Sequence, residues 1–248
     1  MSLRMYRTLQ ALILAGLGFG LLVKIIDGRV LLYIHQRFVA LVLLAALALI
    51  ILAQYVLRAR PEAEPGDGEV GKPDRPPAWG LWLTALPLLV GLLVPERPLG
   101  AAALETRRIY TTAAGRAFGG AADSAAISPE QRTILDWVRI FGDTGDDPAG
   151  LSPYSGQTAD VSGFVVRDPR LGPDQFLVGR FTIACCVADA SALGMVVEWP
   201  EAEALPVNRW VRVRGPVYPL VLEERTVPAI EAVTVEAIPE PVQPYLFP

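Results

Sequence analysis

The chain has 248 residues, 52% of them hydrophobic, with a mean hydropathy of +0.37 and a net charge of -4. Soluble domains rarely average above zero, so part of this chain belongs in lipid or in a large interface. Residues 101–248 hold 12 arginines and no lysine against 19 acidic groups, which excludes holding nucleic acid by bulk electrostatics, and a single histidine, His35, excludes His-rich metal sites.

Residues 1–7 are short and basic. From Thr8 to Ile26 only Gln10 and Lys24 are strongly polar, which predicts a transmembrane helix over about 8–26, with Lys24 snorkelling at its end. A cleaved leader is the competing reading; the run is long for one, no clear Ala-x-Ala site follows, and a second apolar run comes almost at once. Phe38 to Leu57 is nearly free of polar groups and predicts a second span over 38–57. Residues 58–77 mix both charge signs with Pro and Gly and predict a mobile loop. Ala78 to Val94 predicts a third span over 78–94, with Trp79 and Trp82 as interfacial aromatics and Pro87 as a kink. Arg4, Arg7, Arg58, Arg60, Lys72 and Arg75 fall on one side of this arrangement, against Lys24, Arg29 and Arg37 on the other. The positive-inside rule then places the N-terminus in the cytoplasm and the domain after residue 100 outside a bacterial cytoplasmic membrane.

After this membrane region, 1–98, residues 99–127 are Ala/Gly-rich and predict a linker. Residues 128–153 predict a helix and a loop: Ser128 as N-cap, Pro129 at the first position, Gln131 completing a capping box, and an end near Phe141-Gly142. From 154 to 248 the pattern switches to period two, with strands expected over 158–166, 175–184, 194–199, 210–217 and 230–238. Turn signals separate them, the last from Pro219 onwards. The fold class is therefore a membrane α-helical region of three transmembrane helices plus an all-β C-terminal domain. Closure avoids exposed edges, so an OB-like five-stranded barrel is the simplest form of that domain, with a small open sandwich as the alternative.

The candidate functional residues lie on one stretch, Arg180-Phe181-Thr182-Ile183-Ala184-Cys185-Cys186-Val187-Ala188-Asp189-Ala190, which holds both cysteines. Two cysteines make no disulfide framework. Thiolates with Asp189 and an outside ligand suit a soft or divalent ion such as Cu⁺ or Zn²⁺. The same cysteines serve equally as small apolar filling at a barrel end, as redox thiols, or as a strained vicinal disulfide. Neighbours on a strand point to opposite faces, so one thiol is expected outward and one inward unless the chain bends. Arg180 is placed to lower a thiol pKa or bind an anion, or else to pair with Asp189 or Glu198. Asp189 serves as well to cap a turn. Trp199 and Trp210 fit a ligand platform or, more simply, core. No G-x-S-x-G or Walker A motif is present, and the C-terminal half has no histidine for acid–base work, so an enzyme is not expected.

Taken together, Tyr154-x-Gly156, Val161-Ser162-Gly163-Phe164-Val165, the Arg180–Ala190 run and Trp210-Val211-x-Val213-x-Gly215 resemble the bacterial YcgQ-like permease-subunit family, built from N-terminal membrane helices and a C-terminal DUF1980 domain. The resemblance implies an accessory subunit beside a larger multi-helix permease in the lipid bilayer, with metal ions as the expected cargo. Members often carry a His-rich loop after the second helix; residues 58–77 here have no histidine. A structural membrane-anchored interaction module and an extracytoplasmic thiol redox protein are the other readings the residues allow.

Overall fold

The computed structural model describes residues 3–59, 79–105, 109–110, 119–145 and 148–248. Nearly all of the loop expected over 58–77, much of the 99–127 linker and the pair Asp146-Asp147 lie outside the described residues. The chain divides into two compact units, Met1–Arg97 and Pro98–Pro248.

In the first unit, α1 (Leu3–Ile26) and α2 (Val39–Arg58) are long and apolar enough to cross a membrane. At 1.5 Å per residue they run about 36 and 30 Å, against about 30 Å of bilayer hydrocarbon. A third apolar helix, α3 (Trp79–Leu93), passes through Pro87 and has 15 residues. At about 22 Å it is shorter than that thickness.

Small residues bring α1 and α2 together. Ala11, Ala46 and Ala53 are buried, and a Cβ on Gly18 would lie 2.8 Å from the Ala46 carbonyl oxygen. Such close backbone approach is how helices pair where lipid offers no hydrophobic drive. Arg7 donates to the Ala59 carbonyl, 2.9 Å, at the end of α2, and Lys24 and Arg29 both pair with Glu96. His35 accepts from the Arg37 backbone at 3.0 Å and caps a short 3-10 turn, the hydrogen-bonded role of a boundary histidine.

The second unit carries β1 (Ile109–Tyr110), α4 (Ala121–Ala126), α5 (Ile134–Thr144), α6 (Pro148–Leu151), β2 (Thr158–Val166), β3 (Gln175–Thr182), β4 (Ser191–Glu198), β5 (Trp210–Leu222), β6 (Arg225–Glu231), β7 (Thr234–Ala237) and β8 (Tyr245–Leu246). Five of these strands pair in a closed ring. β2 pairs β3, β3 pairs β4, β4 pairs β6 in parallel, β6 pairs β5, and β5 returns to β2; the other four pairings are antiparallel.

Two apolar clusters hold this wall. Inside lie Val161, Phe176, Val178, Leu193, Met195, Val211 and Ile230, and α5 packs Trp137, Val138 and Phe141 into the same cluster. On the opposite face, Phe164, Leu177, Phe181, Val196, Trp210 and Ala229 are covered by Leu99, Ala101, Leu104 and Tyr245. Burial on both faces explains why β3 and β4 read as near-continuous apolar runs rather than alternations. Along β5 the alternation survives, with Arg212 and Arg214 exposed and Val211 and Val213 buried.

Several expected boundaries change. The last strand, expected over 230–238, is two strands. β5 runs on past Pro219 to Leu222 and turns through Glu223 and Glu224, both at positive φ (49° and 64°), into β6. That turn geometry usually recruits Gly or Asn, so two glutamates hid the hairpin. Gly215 is required where β5 passes from β2 to β6, because a Cβ there would sit 2.0 Å from the Glu231 carbonyl oxygen.

The helix expected from Ser128 begins at Ile134. Ser128 heads only the 3-10 turn Pro129–Gln131. Arg132 is extended and buried, donating to the Ser124 and Ala125 carbonyls and to Gln157. Thr133 and Asp136 then form the capping box that starts α5, which runs to Thr144 instead of ending near Phe141. Finally, β3 stops at Thr182, not Ala184, and β4 begins at Ser191.

Candidate functional site

The early end of β3 places Ala184, Cys185, Cys186, Val187, Ala188 and Asp189 in the β3–β4 connection. Ile183 and Ala190 are buried at its two ends and anchor it to the wall, while Cys185 and Asp189 are exposed and Cys186 half-buried. The chain bends at Ala184 and Cys185. The rule that strand neighbours diverge therefore does not apply here. Both thiols lie on the loop with their sulfurs 3.7 Å apart, and neither joins the core. The expectations of one inward thiol and of cysteine as core filling are corrected by this bend. Both cysteines are free.

Asp189 organises the loop. Its Oδ1 accepts from the backbone N–H of Ala184 at 2.9 Å, and its Oδ2 from those of Cys185 and Cys186 at 2.8 and 3.3 Å. Cys186 and Asp189 also form a reciprocal capping box around the 3-10 turn Val187–Asp189. The spacing Cys186-x-x-Asp189 is the sequence signal for that clasp, with cysteine in the place usually held by serine or threonine. Hydrogen bonding to Asp189, and then to Cys186, holds the proton on Cys185 and pushes its pKa up to about 11. Asp189 is held below the usual carboxylate range: burial opposes this, but the hydrogen bonds from Cys185 and from the three backbone N–H groups outweigh it.

One ligand atom each from Cys185, Cys186 and Asp189 lies within 4.8 Å of the others, and among the described residues no other group of His, Cys, Asp or Glu gathers in this way. Two potential thiolates and a carboxylate are a donor set for a borderline or soft cation.

Arg180 is not part of this group. Its guanidinium donates to the Pro244 and Gln243 carbonyls at 3.0 and 2.6 Å and to Ser162 Oγ at 3.3 Å, and it stacks over Trp210. Burial lowers its pKa. Neither Asp189 nor Glu198 is its counter-ion; Glu198 accepts instead from Gln175. Arg180 ties residues 243–244 to the wall, so that β8 pairs alongside Phe181 and Thr182 and Leu246 accepts from the Ile183 N–H at 3.1 Å, at the root of the loop.

Trp210 is core, packed edge-on to Phe164 at 5.8 Å. Trp199 lines a separate open cleft of about 580 Å³ with Asp174, Gln175, Glu198 and Glu231. The sequence did not single out this cleft.

Residues 149–248 match the DUF1980 C-terminal domain. That likeness lies in the C-terminal part of the chain. UPF0703 protein YcgQ of Bacillus subtilis (strain 168) is 26% identical over 96 residues, which cover 38% of this chain and 34% of that protein, so about a third of that relative's length is matched. No solved structure matches the chain. The YcgQ-like resemblance thus holds over the DUF1980 domain, and the apolar helices α1 and α2 are in keeping with the membrane region it implied. Within the DUF1980 domain, the thiol loop is the connection between the second and third strands of the ring.

Proposed function

We propose that this protein is a membrane-anchored accessory subunit of a larger multi-helix permease, and that its DUF1980 domain binds a metal ion on the pathway rather than catalysing a reaction. The observation that carries the metal reading is the convergence of Cys185, Cys186 and Asp189 within 4.8 Å on an exposed loop. The anchoring reading rests on α1 and α2, whose Leu12, Phe19, Leu41, Leu44 and Ile51 point outward as lipid-facing residues do. With α3 as a third crossing, where the bilayer thins locally to match its length, the orientation that fits the basic-residue distribution puts the N-terminus in the cytoplasm and the thiol loop outside.

The ring supports an OB-type reading of the domain. Its order β2-β3-β4-β6-β5 has a single parallel pair, β4 with β6. OB folds bind ligands on the face of their second and third strands, and Cys185 and Cys186 lie on the connection between those two strands.

The test is extraction of the full chain from its native membrane in mild detergent, with protein identification and metal analysis of the purified material. A multi-helix membrane protein in stoichiometric amount, together with bound metal that the Cys185→Ser, Cys186→Ser double variant loses, is expected. A chain that purifies alone and metal-free would refute both parts.

A further inference from the structure

Resting on the metal-binding reading above, we infer that the loop takes a tetrahedral divalent ion of the zinc class, held by three protein ligands with its fourth position open for exchange. The spacing of the sulfurs matches a tetrahedral ion. Two thiolates on one tetrahedral Zn²⁺, each at about 2.3 Å, lie about 3.8 Å apart. Cys185 and Cys186 stand at 3.7 Å with no ion needed to draw them together. A linear two-thiolate ion at the same bond length would hold its sulfurs about 4.6 Å apart, so it would have to force this pair open.

Asp189 supplies the third ligand. A carboxylate offers about four lone-pair directions. Asp189 uses three on the N–H groups of Ala184, Cys185 and Cys186 and the fourth on the Cys185 thiol; that thiol proton leaves when a cation binds, which frees one direction for the ion without unlatching the loop. Those same bonds hold Asp189 facing the thiols, the preorganisation that outer-shell contacts supply at metal sites.

The coordination number fits exchange. The described residues supply three ligands to this group. Structural zinc sites close all four positions with protein, whereas sites that exchange ligands keep one open. An exposed three-ligand loop fits an ion that is passed on, its fourth ligand coming from water, the donor or the acceptor. Binding displaces the two thiol protons to solvent, and no bond to carbon and no oxidation state changes.

The experiment uses the reduced full chain in detergent, stripped with a chelator and titrated with Co²⁺ as a spectroscopic stand-in for Zn²⁺, with Zn²⁺ and Cu⁺ in parallel. Expected are one Co²⁺ per chain, the intense visible bands of tetrahedral Co²⁺ with thiolate charge transfer, displacement by Zn²⁺, and a band shift when imidazole enters the open position. Cys186→Ser is expected to weaken Zn²⁺ by more than the about 10–100-fold that loss of an outer-shell partner costs. A weak octahedral Co²⁺ spectrum, or Cu⁺ binding without Zn²⁺ binding, overturns this inference and leaves the metal reading standing. Failure of all three ions to bind overturns both. Bands insensitive to imidazole overturn the open fourth position.

Discussion

Replacing Asp189 with Asn is expected to make Cys185 more reactive, although it removes contacts that order the loop. The carboxylate holds the Cys185 proton, with the thiol pushed up to about 11 from an ordinary 9.0. At pH 8 these values correspond to about 0.1% and about 9% thiolate, a gain of roughly 90-fold on release. A thiolate of lower pKa is a weaker nucleophile. With a Brønsted slope of about 0.4–0.5, two pKa units cost about 6- to 10-fold. Cys186 and burial supply part of the shift, so the net expectation is alkylation faster by up to about tenfold at pH 8, with the order reversing in strong alkali, where both thiols are ionised and the parent thiolate is the stronger nucleophile. The assay is the rate of iodoacetamide labelling against pH, read by intact mass, with Cys186→Ser in both arms so that one sulfur reports. Equal rates at pH 8, or a parent chain that titrates near 9, would refute the argument that Asp189 governs this thiol.

Two further outcomes follow from the wall around the loop. Asp160 accepts from Arg212 Nε and Nη2 at 2.6 Å and from Arg214 Nε at 2.8 Å, and hydrogen bonding to Arg212 outweighs burial in depressing its pKa. A depressed carboxylate contributes stability above its unfolded pKa of about 3.9, and that contribution is lost as pH falls through the folded value. The urea midpoints of wild type and Asp160→Asn should therefore differ at pH 7 and converge in acid; a constant gap would contradict the pairing. Arg180→Met should cost about 2–3 kcal/mol, the scale of lost hydrogen bonds from a charged donor, and speed amide exchange at Ile183, whose N–H is held by Leu246. Unchanged exchange there would mean that Arg180 does not hold the C-terminal segment at the root of the loop.

Particular residues show why some features were readable in the sequence and others were not. The two long apolar runs were readable because lipid imposes one requirement on every residue of a span, and no distant partner is needed to meet it. The start of β2 and of β5, and the alternation of Arg212 and Arg214 with Val211 and Val213, were readable because a wall with one wet face writes its period locally. The Glu223-Glu224 hairpin was not, since its positive φ values are imposed by the pairing of β5 with β6 and not preferred by glutamate. The start of α5 was missed for a similar reason. Ser128 and Pro129 satisfy the local grammar of a helix start, but Arg132 is drawn into contacts with Ser124, Ala125 and Gln157 that the local pattern cannot see.

The thiol loop divides along the same line. The sequence by itself determined the ingredients: two adjacent thiols, an aspartate three residues on, and no histidine near them, in a chain with enough apolar length for a membrane. Only the tertiary structure decided their arrangement. Ile183 and Ala190 are buried at the ends of the connection, β8 braces the end of β3, and Asp189 clasps three backbone N–H groups. Those constraints bend the chain at Cys185 and bring both sulfurs together, where an extended strand would have parted them. They also draw Arg180 away toward residues 243–244. The physical reason is that a side chain's direction follows from backbone torsions, and in a connection those torsions are set by what the two ends are anchored to, which no local pattern records.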